Sequence, residues 1–271
     1  NASTPTITEQ IDSFLASKAF EPNDIAVVNG GISDLIVGMA AVQAGTLSSA
    51  DFVAQAKQSG QALAAQVRRL VNAGAPHVLV AGTYDLTQTP WAVGIKQESL
   101  LADASLRFNE GLLIALNDLG NKVLYVDAAY YVNLYTSVPG AYFFTNAADP
   151  VCTSVDAGNG IGIGTGQVNS ALCTASTLVS GANVDAYVFA DKVYLSPSAH
   201  RQFGNYAYDK LRGVLAVKNV LLEELYHKPA LNVDQVFAQL MEQRDAIAPY
   251  VADTFHFLRD ALKEGKTILL E

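Results

Sequence analysis

Four short apolar runs alternate with long amphipathic stretches along this chain, and the alternation limits the folds that it can adopt. The runs cover residues 25–28, 78–81, 123–126 and 187–190, and the longest amphipathic stretches cover residues 50–73 and 98–119. Short, nearly continuous apolar runs are typical of strands buried on both faces of a parallel sheet. Helices between such strands form right-handed βαβ units. The pattern therefore predicts an α/β fold, a three-layer α/β/α sandwich with a mostly parallel sheet.

The other segments have weaker patterns. Residues 133–185 are expected to be mostly irregular, and long loops of this kind tend to be functional or cross-linked. A helix is predicted at residues 202–215. Further along, residues 219–263 predict two helices with a break at Lys228-Pro229, and residues 267–270 predict a final strand. The sequence thus indicates an α/β domain followed by a helical appendage.

Charge and hydropathy exclude two classes of partner. The 271 residues carry 26 acidic and 17 basic side chains, for a net charge of −9, and half of them are hydrophobic. An acidic surface repels phosphate backbones, so we expect no nucleic-acid partner. No stretch approaches the roughly 18 apolar residues of a membrane helix, so we expect no integral membrane segment.

Cofactor sites are also not predicted. No cluster of Cys and His lies at the spacing of metal ligands. The glycine-rich residues 158–166 superficially resemble a phosphate-binding loop, but no strand precedes them and no helix with Lys-Ser or Lys-Thr follows. We therefore expect a loop there and no bound cofactor.

The end of the last apolar run carries the residues with the clearest chemistry. Asp191 follows the run directly, and His200 lies nine residues later, near the start of the predicted helix. A carboxylate at a strand end with a histidine on the loop after it is how many hydrolases place a catalytic acid and base. The alternative for Asp191 is a turn or helix cap, and the alternative for His200 is a structural role.

This region resembles the last motif of the GDSL, or SGNH, esterase and lipase family, in which Asp, two residues and a catalytic His are followed by a second His. The chain keeps Asp191 and the second histidine, His200, but has Tyr194 at the catalytic His. Upstream, Gly31 fits the family's Gly-x-Asn-Asp motif, with Ser33 at the Asn that donates to the oxyanion. The resemblance therefore implies catalytic roles for Asp191 and His200 and oxyanion roles for Gly31 and Ser33.

Further segments follow in the family's order. Residues 77–90 resemble a strand followed by Pro-Asp-Leu-Gly-x-Thr-Pro, Phe108-Asn109 fits the next helix, and residues 142–146 with Cys152 resemble a Gly-Phe-Thr-Asn and Cys region. The resemblance covers about residues 4–212 and implies an SGNH-hydrolase, flavodoxin-like fold. The family's Gly-Asp-Ser block, which carries the nucleophile on strand one, does not occur in this sequence. Without that strand, residues 25–28 are expected to show an unpaired edge, and the missing segment is a possible partner.

The last part of the chain resembles a different family. Residues 218–225, 248–254 and 264–271 are similar to an internal piece of adenylosuccinate synthetase, a purine-biosynthesis ligase, without its P-loop. This gives two expected domains, an SGNH-hydrolase-like domain at residues 1–212 and a helical segment at residues 213–271.

Cys152 and Cys173 flank a loop rich in Gly, Ser and Asn. The family resemblance and this placement favour a disulfide that closes the loop, and the alternative is two free thiols. A disulfide implies a secreted or periplasmic protein.

Ser33 and a set of aromatic residues each have more than one interpretation. Ser33 is either an oxyanion donor, a turn serine that caps the following helix, or a nucleophile. A set of aromatic residues either lines an acyl or aryl pocket or forms core and loop packing; its members are Tyr130, Tyr131, Tyr135, Tyr142, Phe143 and Phe144.

Three functions follow from these observations. The first is a carboxylic-ester hydrolase of the GDSL type that acts on a small ester or lipid by serine-nucleophile acyl transfer. The second is a non-catalytic α/β module, favoured by Tyr194 and Ser33 at the two altered positions. The third is a purine-biosynthesis ligase, favoured by the last segment alone.

Overall fold

The structure is a computed structural model that describes residues 5–22 and 24–224. Five strands lie at β1 (Ile25–Asn29), β2 (His77–Ala81), β3 (Val123–Tyr125), β4 (Asn146–Pro150) and β5 (Tyr187–Phe189). The α-helices are α1 (Ile7–Ser17), α2 (Ile32–Gln43), α3 (Ser49–Asn72), α4 (Pro90–Ile95), α5 (Glu98–Leu116), α6 (Ala128–Ser137) and α7 (Pro197–Glu224). The predicted strand–helix alternation is confirmed.

The strands form two parallel sheets. In the first, β2 lies between β1 and β3, and in the second β4 pairs with β5. An α/β fold with a mostly parallel sheet is therefore shown. The sequence did not predict β4, which lies inside the segment expected to be irregular. Its residues, Asn-Ala-Ala-Asp-Pro, have no β-branched or aromatic side chain, so only the pairing with β5 makes it a strand.

The helix ends follow local rules. Ser48 caps α3 by accepting a hydrogen bond from the backbone N–H of Asp51, at 3.1 Å. The last helix begins at Pro197, five residues before the predicted start, because Pro is well suited to a first helical position. The hydroxyl of Ser196 accepts a hydrogen bond from the backbone N–H of Ala199 at 3.2 Å. It thereby satisfies one of the N–H groups that have no acceptor within the helix.

A close pair of helices, α3 and α5, brings two backbones together. A Cβ on Gly60 would collide with the carbonyl oxygen of Phe108, and one on Gly111 would collide with that of Lys57. Both glycines therefore permit an approach that a larger residue would prevent. Around this pair the core buries Phe52, Leu101, Phe108 and Leu112 almost completely.

The first sheet has an open edge among the described residues. Within the described part of the chain, strand β1 pairs only with β2, and Val27 on β1 is 71% exposed. This is the unpaired edge expected from the sequence.

The chain divides into two compact units, Asn1–Gly204 and Asn205–Glu271. In the second unit only residues 205–224 are described, as part of α7. The two helices predicted at residues 219–263 lie largely, and the final strand at 267–270 wholly, outside the described residues. Over the part of the chain that is described, no helix is long and apolar enough to cross a membrane.

Candidate functional site

Asp191 is a buried carboxylate that follows β5. It is fully inaccessible to solvent, and its oxygens accept three backbone hydrogen bonds. Oδ1 accepts from the N–H groups of Val193 at 2.8 Å and Tyr194 at 2.7 Å, and Oδ2 accepts from that of Ser170 at 3.1 Å. These bonds compensate the burial of a polar group. Asp191 therefore shapes the turn at residues 191–194 and joins it to the loop between the cysteines.

The segment that follows β2 also supports this turn. The hydroxyl of Tyr84 donates to the carbonyl oxygen of Val193, at 2.5 Å, and the backbone N–H of Trp91 donates to that of Lys192, at 2.9 Å. Burial raises the pKa of Tyr84 well above its usual value, and Tyr194 and Asp191 raise it further. Tyr84 thus remains a donor. No pattern in the sequence singled out Tyr84, although it lies within the family-like residues 77–90.

Tyr194 and Ser33 meet at the end of the turn. The Ser33 side chain lies close enough to the Tyr194 phenol to affect its pKa. Burial raises the pKa of Tyr194, the neighbouring Ser33 side chain partly opposes this rise, and Asp191 adds to it. Tyr194 is therefore a neutral phenol at physiological pH. The two positions at which the chain departs from the resembled family lie next to each other.

Gly31 places Ser33 at the start of α2. It is the N-cap, with φ of +116°, a conformation that favours glycine, and a Cβ there would collide with the ring of Phe108. Ser33 is the second residue of the helix and is exposed. Because Gly31 holds the N-cap and no side chain caps the helix, the helix-capping alternative for Ser33 does not apply.

His200 lies in the first turn of α7, and part of the residue is exposed to solvent. Its backbone N–H donates to the carbonyl oxygen of Ser196 at 3.0 Å. Partial burial of the imidazole lowers its pKa, which favours the neutral ring. Among the described contacts, the His200 and Asp191 side chains share no hydrogen bond. The structure therefore brings Ser33 to the Asp191 turn through Tyr194 but shows no direct pairing of the two proposed catalytic residues.

Cys152 and Cys173 form a disulfide, with their Cα atoms 5.8 Å apart, and the predicted link is confirmed. The loop between them contacts the site at several points. Besides the bond from Ser170 to Asp191, the amine of Lys192 donates to the side-chain oxygen of Gln167 at 2.7 Å. In the sequence, nothing links this loop to the Asp191 motif. The structure makes the loop part of the site.

The glycine-rich segment is organised by its own carboxylate. Asp156 accepts hydrogen bonds from the backbone N–H of Gly158 and the side-chain amide of Asn169, both at 2.8 Å. The bond from Asn169, followed by that from Gly158, lowers the pKa of Asp156. A fixed negative charge at the base of the loop disfavours phosphate, which agrees with its interpretation as an ordinary loop.

The aromatic residues divide into two groups. Tyr131, Tyr135, Tyr142 and Phe144 pack edge to face, with ring centroids 5.1–5.7 Å apart. These four therefore form core and loop packing. Tyr130 and Phe143 instead reach solvent, at 58% and 87% exposure.

A metal site and a surface groove are the two other features that bear on function. No group of three or more His, Cys, Asp or Glu side chains in the described residues could hold a metal ion. An open groove of about 440 Å³ lies between α3 and α5, next to Arg68, Ile114 and Asp118. It borders the helix ends that precede β2 and β3, whereas Ser33 and Asp191 follow the carboxyl ends of their strands. The groove is not part of this site.

Comparisons with known proteins give different matches for the two parts of the chain. The family described as GDSL-like Lipase/Acylhydrolase matches residues 1–207, and the family described as Adenylosuccinate synthetase matches residues 200–271. Similar curated proteins include adenylosuccinate synthetases from three bacteria. The protein from Caldicellulosiruptor saccharolyticus is 45% identical over 62 residues, or 23% of this chain and 14% of that protein. The protein from Bacillus cytotoxicus is 44% identical over 63 residues, which are 23% of this chain and 15% of that protein.

The third, from Bifidobacterium longum, is 36% identical over 85 residues, or 31% of this chain and 20% of that protein. The chain thus spans at most a fifth of the length of these three relatives. The match to the Adenylosuccinate synthetase family covers residues 200–271. The lipase and acylhydrolase match instead extends over most of the residues and over the whole of the site described above, and on this basis the chain belongs to the GDSL-like lipase/acylhydrolase family.

Proposed function

We propose that this chain derives from a carboxylic-ester hydrolase that transfers an acyl group from a serine to water, and that it carries the larger part of that site. One observation carries the proposal. Positions 33 and 194 are far apart in sequence, yet their side chains meet beside Asp191. An ester hydrolase needs its oxyanion donor and its base to converge on one reacting group. The backbone keeps that convergence although both side chains differ from the family pattern.

The proposed roles follow from the chemistry of each group. Gly31 and Ser33 at the start of α2 would donate hydrogen bonds to the oxyanion. His200 would act as the base, because the raised pKa of Tyr194 keeps the phenol protonated at neutral pH. Asp191 would orient that base once the segment at residues 191–200 brings the two side chains together.

The nucleophile is proposed to come from outside the residues of this sequence. No Gly-Asp-Ser occurs in it, and β1 has an open edge among the described residues. A further parallel strand could pair there and place a serine near Ser33. The partner is therefore a Gly-Asp-Ser segment, and the substrate is a small ester or lipid.

Hydrolysis of p-nitrophenyl butyrate by this chain alone tests the proposal. We expect a rate no higher than that of the heat-denatured protein, because the nucleophile is absent. An organophosphonate that blocks clear turnover and labels a serine of this chain would refute the split site and would identify the actual nucleophile.

A non-catalytic module is the second candidate, and the presence of Tyr194 and Ser33 at two positions where the family has other residues favours it. In that case the pair serves only to close the turn. The double variant Tyr194→His with Ser33→Asn, together with a Gly-Asp-Ser segment, distinguishes the candidates. Hydrolysis by the double variant supports the hydrolase site, and its absence in a folded protein supports the module. The ligase interpretation rests on residues 200–271 alone.

We also propose that the protein is secreted or periplasmic. The disulfide between Cys152 and Cys173 supports this, because disulfides persist mainly in oxidising compartments. A non-reducing digest of protein from its native source should yield the two cysteines as one linked peptide pair. Recovery of both as free thiols would indicate a reducing compartment.

A further inference from the structure

Phe143 is held in an unusual way for a surface residue. It is 87% exposed and has φ of +64°, in the left-handed region that disfavours residues with a Cβ. Isolated exposed apolar residues are normal. It is unusual, however, for a large exposed aromatic residue also to have an unfavourable backbone conformation. Backbone strain of this kind is concentrated at functional positions.

The surroundings of Phe143 make its position rigid. The turn is closed by hydrogen bonds from the N–H of Phe143 to the carbonyl oxygen of Gly140, at 3.3 Å, and from that of Phe144 to Pro139, at 3.0 Å. The neighbouring rings of Tyr142 and Phe144 pack inward against Tyr135, with centroids 5.1 and 5.3 Å away. Phe143 is therefore presented to solvent on a packed aromatic base, so little conformational entropy remains to be lost on binding.

The segment around Phe143 has no charge. Residues 128–148 contain no Asp, Glu, Lys, Arg or His. Two other apolar or amphipathic side chains in this segment are exposed, Val138 at 50% and Tyr130 at 58%. The nearest charges in sequence are both acidic, Asp127 and Asp149. Contact with an anionic surface is therefore disfavoured, whereas contact with an uncharged apolar one is not opposed.

We propose that the turn at residues 138–143 is a contact site for an electrically neutral lipid surface, in which Phe143 inserts among the acyl chains. Uncharged lipid fits because it needs no ionic partner and accepts an aromatic ring at the boundary between chains and head groups. The turn precedes β4, whose first residue, Asn146, pairs with the first residue of β5. Asp191 follows the other end of β5, and vesicle binding by the turn does not require the proposed hydrolysis.

Co-sedimentation of the full chain with phosphatidylcholine vesicles tests the proposal. Phe143→Ser should lower the vesicle partition coefficient by about tenfold, since it removes one inserted aromatic side chain. Leu106→Ser on α5 is the matched control, because Leu106 is 61% exposed and lies outside the turn. It should leave partition unchanged. Replacing a third of the phosphatidylcholine with phosphatidylglycerol should weaken binding of the wild-type chain.

Two further variants separate insertion from folding. Phe143→Gly relieves the positive φ, so it should not lower the melting temperature while it removes vesicle binding. In Phe143→Trp, brominated phosphatidylcholine should quench the introduced indole, whereas it should not in Leu106→Trp. Equal quenching in both, no vesicle binding by the wild-type chain, or self-association that Phe143→Ser abolishes without vesicle binding would each overturn the proposal.

Discussion

Single residues decide whether the site keeps its shape. Gly31 permits the turn between β1 and α2, and Asp191 fixes the turn after β5 through three backbone bonds. Gly31 and Asp191 each have a chemical property that their turn requires. Glycine has no Cβ, and a carboxylate accepts several N–H groups at once. Substitutions at these positions therefore have effects that can be separated from general surface effects.

The first prediction concerns Gly31. Gly31→Ala should lower the free energy of unfolding by about 2–4 kcal/mol, because the new Cβ both meets the Phe108 ring and is strained at φ of +116°. Gly45→Ala is the control. Gly45 has a φ of +71°, and no atom lies within 4 Å of an added Cβ. Gly45→Ala should therefore lower the free energy of unfolding only through backbone strain, by about 1–2 kcal/mol. Urea unfolding measures both. Equal losses would show that Phe108 moves aside.

The second prediction concerns the base. In protein reconstituted with a Gly-Asp-Ser segment, His200→Ala should lower turnover by several orders of magnitude, whereas Tyr194→Phe should have a much smaller effect. The lowered pKa of His200 keeps the ring neutral, so activity should persist to a lower pH than for an unperturbed histidine and should then fall as the ring is protonated. Reconstituted protein that tolerates His200→Ala would identify His200 as a structural residue.

At the scale of elements, the loop between the cysteines and the Asp191 turn act together. Ser170 in the loop donates to Asp191, and Gln167 accepts from Lys192. The loop also lies near the helix that carries Ser33, since a Cβ on Gly162 would be 3.0 Å from Ile36. A cross-link that restricts the loop therefore also restricts the turn.

The third prediction follows from this coupling. The double variant Cys152→Ser with Cys173→Ser should lower the free energy of unfolding by about 3 kcal/mol, from the loop-closure entropy of a loop of this length. Amide exchange should also become faster at Ser170, Val193 and Tyr194, whose N–H groups bond to Asp191. Ser180→Ala, a substitution at an exposed loop position, serves as the control. Unchanged exchange at the three amides would show that the turn does not depend on the disulfide.

At the scale of the whole molecule, the main consequence of the strand order is that β1 has no second partner strand in the part of the chain that the structure describes. Exposed edges with apolar side chains pair readily with other chains. Val27 lies on this edge and is 71% exposed. The molecule therefore has a surface that is suited either to a completing strand or to self-association.

The fourth prediction addresses that surface. Val27→Lys should reduce concentration-dependent association of the chain, because a charge on an edge strand opposes pairing. Val37→Lys on α2 is the matched control, since Val37 is 69% exposed but lies on a helix. Sedimentation velocity over a range of concentrations measures the effect. If both variants reduced association equally, general surface charge rather than the strand edge would be responsible.

The sequence by itself determined the local elements and the covalent link. Apolar runs located β1, β2, β3 and β5, amphipathic stretches located α3 and α5, and the resemblance favoured the disulfide that the structure has. These features depend on periodicity or on a motif within one segment. Such a signal is read without knowing the path of the chain.

Only the tertiary structure decided which distant residues meet. Four features join segments that are distant in sequence: the pairing of Asn146–Pro150, the proximity of Tyr194 to Ser33, the bond from Ser170 to Asp191 and the support from Tyr84. No periodicity encodes such contacts, since they arise only when the fold brings the loops after different strands next to one another. For the same reason, the sequence could nominate Asp191 and Ser33, but only the fold shows that Tyr194 connects them.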